Sequence, residues 1–151
     1  MKLRYFLIAT IMITIFSCKK NSSDVPTIKL KSIGPSVVSR SDLFQIDIGF
    51  SGLNGSSNDT LIMQKHVLNQ NQQGLSTEFS LDSFAIPNFS GTYNGDFQLT
   101  FARQVNNYYP LLPDPATAQN DTSIFSFVVV KRSQNSVSDT VHSGIIVILS
   151  Q

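Results

Sequence analysis

The stretch Asp42-Leu43-Phe44-Gln45-Ile46-Asp47-Ile48-Gly49-Phe50 alternates apolar and polar residues. Successive side chains of a β-strand point to opposite faces, so Phe44, Ile46, Ile48 and Phe50 are expected to face a core while Gln45, Asp47 and Gly49 face water or a neighbour. Asp96 to Ala102 repeats the pattern, with Phe97, Leu99 and Phe101 set against Gln98 and Thr100. Ser123 to Arg132 puts Phe125, Phe127 and Val129 on one face. Val128 and Val130 make its other face apolar too, as in a strand covered on both sides.

Working outward, weaker strands are predicted over Thr27 to Ile33, Thr60 to Val67, Thr77 to Ile86 with a break near Ser83, and Val137 to Leu149 with a bend at Ser143-Gly144. Gly34-Pro35, Gly52 to Asn58, Asn69 to Gly74, Pro87 to Asn94 and Pro110 to Pro115 separate them, each rich in turn-forming residues. Helical spacing is scarce. About seven short strands without covering helices predict an all-β fold: an antiparallel immunoglobulin-like β-sandwich over residues 25–151, with a lipocalin-like closed barrel as the alternative. An intersheet cysteine pair and a core tryptophan are both missing, so eleven phenylalanines must supply the bulk of the core.

The start of the chain follows a different grammar. Lys2 and Arg4 precede an apolar run of eleven, Tyr5 to Ile15, and Phe16-Ser17-Cys18 closes it. Eleven helical residues span about 16 Å, half of a hydrocarbon core of about 30 Å, which favours a cleaved leader over a membrane span. Ile15-Phe16-Ser17-Cys18 resembles the lipobox of bacterial lipoproteins; Ser17 matches the small position before the cysteine, while Phe16 departs from the usual small or β-branched residue. The resemblance implies a signal peptide over 1–17 and lipidation of Cys18 by a thioether-linked diacylglycerol and an amide-linked third chain. At about 0.8 kcal/mol per buried methylene, several chains anchor a protein stably. Cys18 is the sole cysteine, which excludes a disulfide within the monomer. Residues 18–24, Cys-Lys-Lys-Asn-Ser-Ser-Asp, are polar and aperiodic and read as a flexible tether.

Short leaders ending Ser-Cys-Lys-Lys resemble those of Bacteroidota lipoproteins, and lysine after the cysteine does not match the aspartate that retains lipoproteins in inner membranes. An outer-membrane anchor in the cell envelope is the expectation, on either face. Asp121-Thr122-Ser123-Ile124-Phe125-Ser126-Phe127, then Lys131-Arg132, then Thr140 to Leu149, are similar to the last third of uncharacterised Bacteroidota lipoproteins with an immunoglobulin-like body. In many of these an acidic Asp-Gly-Asp-Gly-Asp turn follows the strand matching Phe44 to Phe50. Here Ser51 to Asp59 offers a single carboxylate, Asp59, plus amides, too few for the hard-cation site that the family pattern would suggest.

Chemistry-bearing patterns are few. Charged residues make up 14% of the chain, and without Lys2 and Arg4 nine basic side chains face ten acidic ones, which leaves no footprint for nucleic acid. Two histidines, His66 and His142, cannot build a transition-metal site, so no metal or other cofactor is expected. Asp139-Thr140-Val141-His142-Ser143 holds the letters of a hydrolytic triad, but an extended strand points them to alternating faces. The ten carboxylates are scattered, and a small carboxylate-based hydrolase would need the fold to pair two of them. The remaining candidate is Asn106-Asn107-Tyr108-Tyr109-Pro110-Leu111-Leu112-Pro113, which sets aromatic and apolar residues in a proline-rich loop; Tyr93 lies apart from it. Tyr108, Tyr109, Leu111 and Leu112 form an expected contact for an envelope protein or glycan, unless Tyr108 or Leu111 folds back to cap the sandwich. The expectation is a membrane-anchored, non-enzymatic binding or accessory module. A small-ligand carrier is the alternative if the core proves to be a cavity.

Overall fold

A computed structural model describes residues 25–53, 59–69, 79–87, 94–105, 107–115, 118–132 and 135–150. The leader over 1–17, the tether over 18–24 with Cys18, Tyr93, and most of the 51–59 loop lie outside the described residues. Among the described residues ten strands follow one another: β1 Thr27–Gly34, β2 Val37–Val38, β3 Leu43–Ser51, β4 Thr60–Val67, β5 Phe79–Ala85, β6 Asn94–Ala102, β7 Asp121–Lys131, β8 Ser136–Val137, β9 Val141–His142 and β10 Ile146–Ile148. They form two sheets. One has the antiparallel order β1-β3-β6, the other the order β2-β10-β7-β4-β5.

The inward set expected from residues 42–50 is buried as read, since Phe44, Ile46, Ile48 and Phe50 all enter the core. Leu61, Met63, Phe125, Phe127, Val129, Ile146 and Ile148 meet them from the second sheet. Phenylalanine rings bridge the two layers: Phe44 lies 5.1 Å from Phe125 and Phe84 lies 5.9 Å from Phe101, centroid to centroid. Those contacts fill the intersheet space that a disulfide and tryptophan occupy in other immunoglobulin-like sandwiches. The fold is thus an all-β immunoglobulin-like sandwich of two open sheets, and the closed barrel is not formed.

Two features depart from the expected seven antiparallel strands. Val37–Val38, not anticipated as a strand, pairs in parallel with β10 beyond a cis Gly34-Pro35 peptide. The bent strand expected over Val137 to Leu149 is instead three pieces, β8, β9 and β10, laid antiparallel along one edge of β7. Val137 faces Val130, Val141 faces Phe127 and Ile146 faces Ser123, so each break holds one more residue than the β7 segment opposite. These are two bulges. At each, a serine repairs the ladder: Ser138 and Ser143 donate their amides to the carbonyls of Val129 and Phe125 and accept those residues' amides at Oγ, at 2.8–2.9 Å. The repair keeps β7 satisfied while the irregular strand makes a poor template for further pairing.

Polar groups also enter the core by strand period. Lys65 follows Leu61 and Met63 on the inward face of β4, and Asp121 precedes Ser123 and Phe125 on that of β7. They form a buried ion pair at 2.6 Å, tying the two strands together at the Val67 end.

Candidate functional site

β6 ends at Ala102 and the chain must turn there. The Ala102 amide donates to the Pro110 carbonyl at 3.0 Å, and the Leu112 amide donates to the Ala102 carbonyl at 2.8 Å, so both feet of the loop are bonded to one residue. Leu112 drops into the core, which corrects its expected place in a partner contact: its side chain is a plug. Beyond Arg103, the described residues from Gln104 to Leu111 stay outside. Val105 is 85% exposed, Tyr108 88%, Leu111 47% and Tyr109 42%, and Leu43 at the facing end of β3 is exposed as well. Tyr108 and Leu111 therefore do not fold back over the sandwich.

Arg103, which sequence reading passed over, holds this arrangement. Its side chain is buried and donates to the Leu149 carbonyl at 2.7 Å, the Val38 carbonyl at 3.2 Å, and Asp114 Oδ1 at 2.6 and 3.2 Å. One guanidinium thus ties the loop to β2 and to the chain after β10. Two of its partners are backbone carbonyls, which carry no sequence signal; only an arginine at a strand end with Asp114 eleven residues on could have hinted at it. The Arg103 hydrogen bonds, with its charge and that of Arg40 behind them, hold the Asp114 carboxyl below its ordinary value. Asp42 shares this end. Its carboxylate accepts the Ser39 amide at 2.7 Å, and that bond lowers its pKa.

The opposite end of the β1-β3-β6 sheet carries charged side chains beside apolar ones. A cleft of about 480 Å³, open to solvent, is lined there by Lys29, Lys31, Asn94 and Asp96 together with apolar Ile28 and Phe50. Lys31, displaced by a bulge in β1, reaches across β3 to Asp96 at 2.6 Å. Gly49 permits the crossing, since a Cβ there would stand 2.9 Å from Lys31 Cε and 3.3 Å from Asp96 Oδ1.

The catalytic patterns fare differently. His142 Nδ1 lies 2.8 Å from the Ser126 hydroxyl across the strands, while Ser143 Oγ serves Phe125 and Gly144, so the triad letters at 139–143 do not converge. Ser126 lies beside a 220 Å³ cleft on the outer face of its sheet. The strand amides beside it lie in the plane of the sheet and serve the ladder. Asp47 accepts from Ser32 and Gln98, bonds that lower its pKa and keep it an anion, not an acid. Asp59 is buried and accepts the Arg132 amide at 3.1 Å. Among the described residues no cluster of three metal-ligating side chains occurs.

No protein-family model matches the chain, and no curated protein sequence matches it. Among solved structures it is similar to a superoxide reductase (neelaredoxin) from Ignicoccus hospitalis, at 8% identity and a TM-score of 0.42 over 82% of this chain and 80% of that one. A CARDB domain from Pyrococcus furiosus gives 12% identity and a TM-score of 0.41, over 84% of this chain and 98% of that one. The sporulation control protein Spo0M from Bacillus subtilis gives 11% identity and a TM-score of 0.42, over 84% of this chain and half of its own. Such distant likenesses carry no inference about activity.

Proposed function

We propose that the chain is a lipid-anchored envelope lipoprotein, held in the outer membrane through Cys18, whose sandwich is a non-enzymatic binding or accessory module for a partner in the envelope. Tyr108, Tyr109 and Leu111 make the contact. The observation that carries this reading is an exposed apolar loop whose feet, Ala102, Arg103 and Leu112, are built into the folded body. Binding residues on a rigid scaffold lose little conformational freedom when a partner arrives, and tyrosine offers large contact area with few torsions. The anchor is supported by the residues around Cys18.

Two measurements test it. Cys18→Ser abolishes incorporation of labelled fatty acid and moves the protein to the aqueous phase of a detergent partition; continued membrane retention refutes the anchor. In affinity capture from envelopes, Tyr108→Ala with Tyr109→Ala weakens the partner, each central aromatic contributing about 2 kcal/mol, or about thirtyfold in affinity. Undiminished capture removes the loop from the contact.

A further inference from the structure

Strand register separates two unlike ends of the sandwich. Thr27 lies opposite Ser51 and Ser51 opposite Asn94, so the described chain enters the domain at the end that carries the lysine-lined cleft. Leu43 lies opposite Ala102, so the apolar loop leaves from the other end. The nine residues of β6 put about 30 Å between them. Residues 18–24, even fully extended, reach about 25 Å.

We infer that the domain stands end-on at the bilayer, with the 103–115 loop at the far, aqueous end, where it docks a protein partner and not lipid; this rests on the lipoprotein reading above. Lysine marks the anchored end. Lys19 and Lys20 adjoin Cys18 with Asp24 as the tether's one carboxylate, and Lys29 and Lys31 line the cleft against Asp96, which pairs with Lys31, so an excess of cationic side chains remains where headgroups lie. The far end lacks such a bias: Arg40 and Arg103 are matched there by Asp42 and Asp114, leaving no net field to draw a phosphate. Its exposed side chains include aliphatic Val105, Leu111 and Leu43 beside the two tyrosines. A sugar stacks on flat aromatic faces and has no use for exposed valine and leucine, whereas a protein pocket accommodates both kinds. Docking of this composition is insensitive to salt.

The test uses the full lipidated chain in vesicles of phosphatidylcholine with a minority of phosphatidylglycerol. Cys18 is the only native cysteine and its sulfur is taken by the lipid, so Lys29→Cys and Tyr108→Cys each introduce one labelling site. Nitroxide on the lipid headgroups is expected to quench a fluorophore at 29 several-fold more than one at 108; equal or reversed quenching overturns the orientation. Two labels per chain would show a free Cys18 thiol, an outcome that removes the lipoprotein reading and this inference with it, and that quenching alone would not produce. A photocrosslinker at 108 in intact envelopes is then expected to give a protein adduct that survives high salt and is lost on Leu111→Asp. A lipid or glycan adduct, or none, overturns the partner class. The thermal melt of Leu111→Asp separates lost docking from lost folding, and Val105→Asp provides a second exposed position if it unfolds.

Discussion

Replacing Arg103 by methionine keeps the apolar stem of a buried side chain and removes its guanidinium. Four hydrogen bonds disappear, but they are unequal. The Val38 carbonyl keeps the Leu149 amide at 3.0 Å, whereas the Leu149 carbonyl loses the donor that Arg103 supplies at 2.7 Å. A part-buried carbonyl stripped of a charged donor costs about 1–3 kcal/mol. The Asp114 pair, whose carboxylate is 60% exposed, adds no more than about 1 kcal/mol. Relief of the buried charge offsets part of the sum, so the expected loss is about 2 kcal/mol, or about 7 °C in Tm for a domain of this size. Urea denaturation measures it, with the slope unchanged and the midpoint lowered. Arg103→Lys falls between, because one ammonium cannot reach three acceptors. The reasoning fails if Arg103→Met costs under about 1 kcal/mol, or if Asp114→Asn costs as much as Arg103→Met.

Three further outcomes are expected. Ser138→Ala leaves the buried Val129 amide without its Oγ acceptor and lowers stability by about 1–3 kcal/mol; Ser143→Ala, nearer solvent, costs less, and hydrogen exchange reports faster loss of the amides of Val129 and Phe125 respectively. Gly95→Ala destabilises by about 1–3 kcal/mol, because its Cβ would stand 2.7 Å from a Phe50 ring that stacks on Phe97 at 4.3 Å, while Gly49→Ala only displaces the exposed ends of Lys31 and Asp96; equal urea midpoints for the two would refute this. Hydrogen bonds lower the pKa values of Asp42, Asp47 and Asp114 from 3.8, so the stability they contribute is present above that value and is lost as the pH falls through their folded values. The urea midpoint should hold steady on acidification down to about pH 4 and decline below it; a rise there would contradict the sign.

Where one face of a strand is buried, local alternation suffices, and β3, β4, β6 and β7 begin and end within two residues of their expected bounds. Those readings depend on nearest neighbours in sequence. β2 depends on a parallel partner more than a hundred residues away, and Val37-Val38 alone is too short to show a period. The bulged strand hid for another reason: its inserted residues shift the face at each break, so Val137 to Leu149 has no single alternation to find. The Lys65–Asp121 pair was legible but missed, since extending the inward sets of β4 and β7 lands on both residues. The candidate loop was half legible. Composition singled out Tyr108, Tyr109, Leu111 and Leu112, but which leucine plugs the core depends on the bonds from Ala102 to Pro110 and Leu112, and those are set by where β6 ends.

That division of labour separates stability from binding. An apolar loop ordinarily gains by collapsing onto the domain that carries it, and exposed tyrosines in a small β domain are usually a liability. Here the collapse is taken up by one residue, Leu112, while Arg103 holds the loop base and the Leu149 carbonyl in one place. Val105, Tyr108 and Leu111 are left outside a base that cannot follow them inward. Substitutions at Tyr108 and Leu111 should therefore leave folding nearly untouched and act on docking. Substitutions at Arg103 and Leu112 should lower stability first and weaken docking only by loosening the loop. A double substitution drawn from the two groups is then additive in the urea midpoint and coupled in affinity. Coupling in stability instead would mean that the tyrosines pack on their own domain, and the outward-facing contact would fall with it.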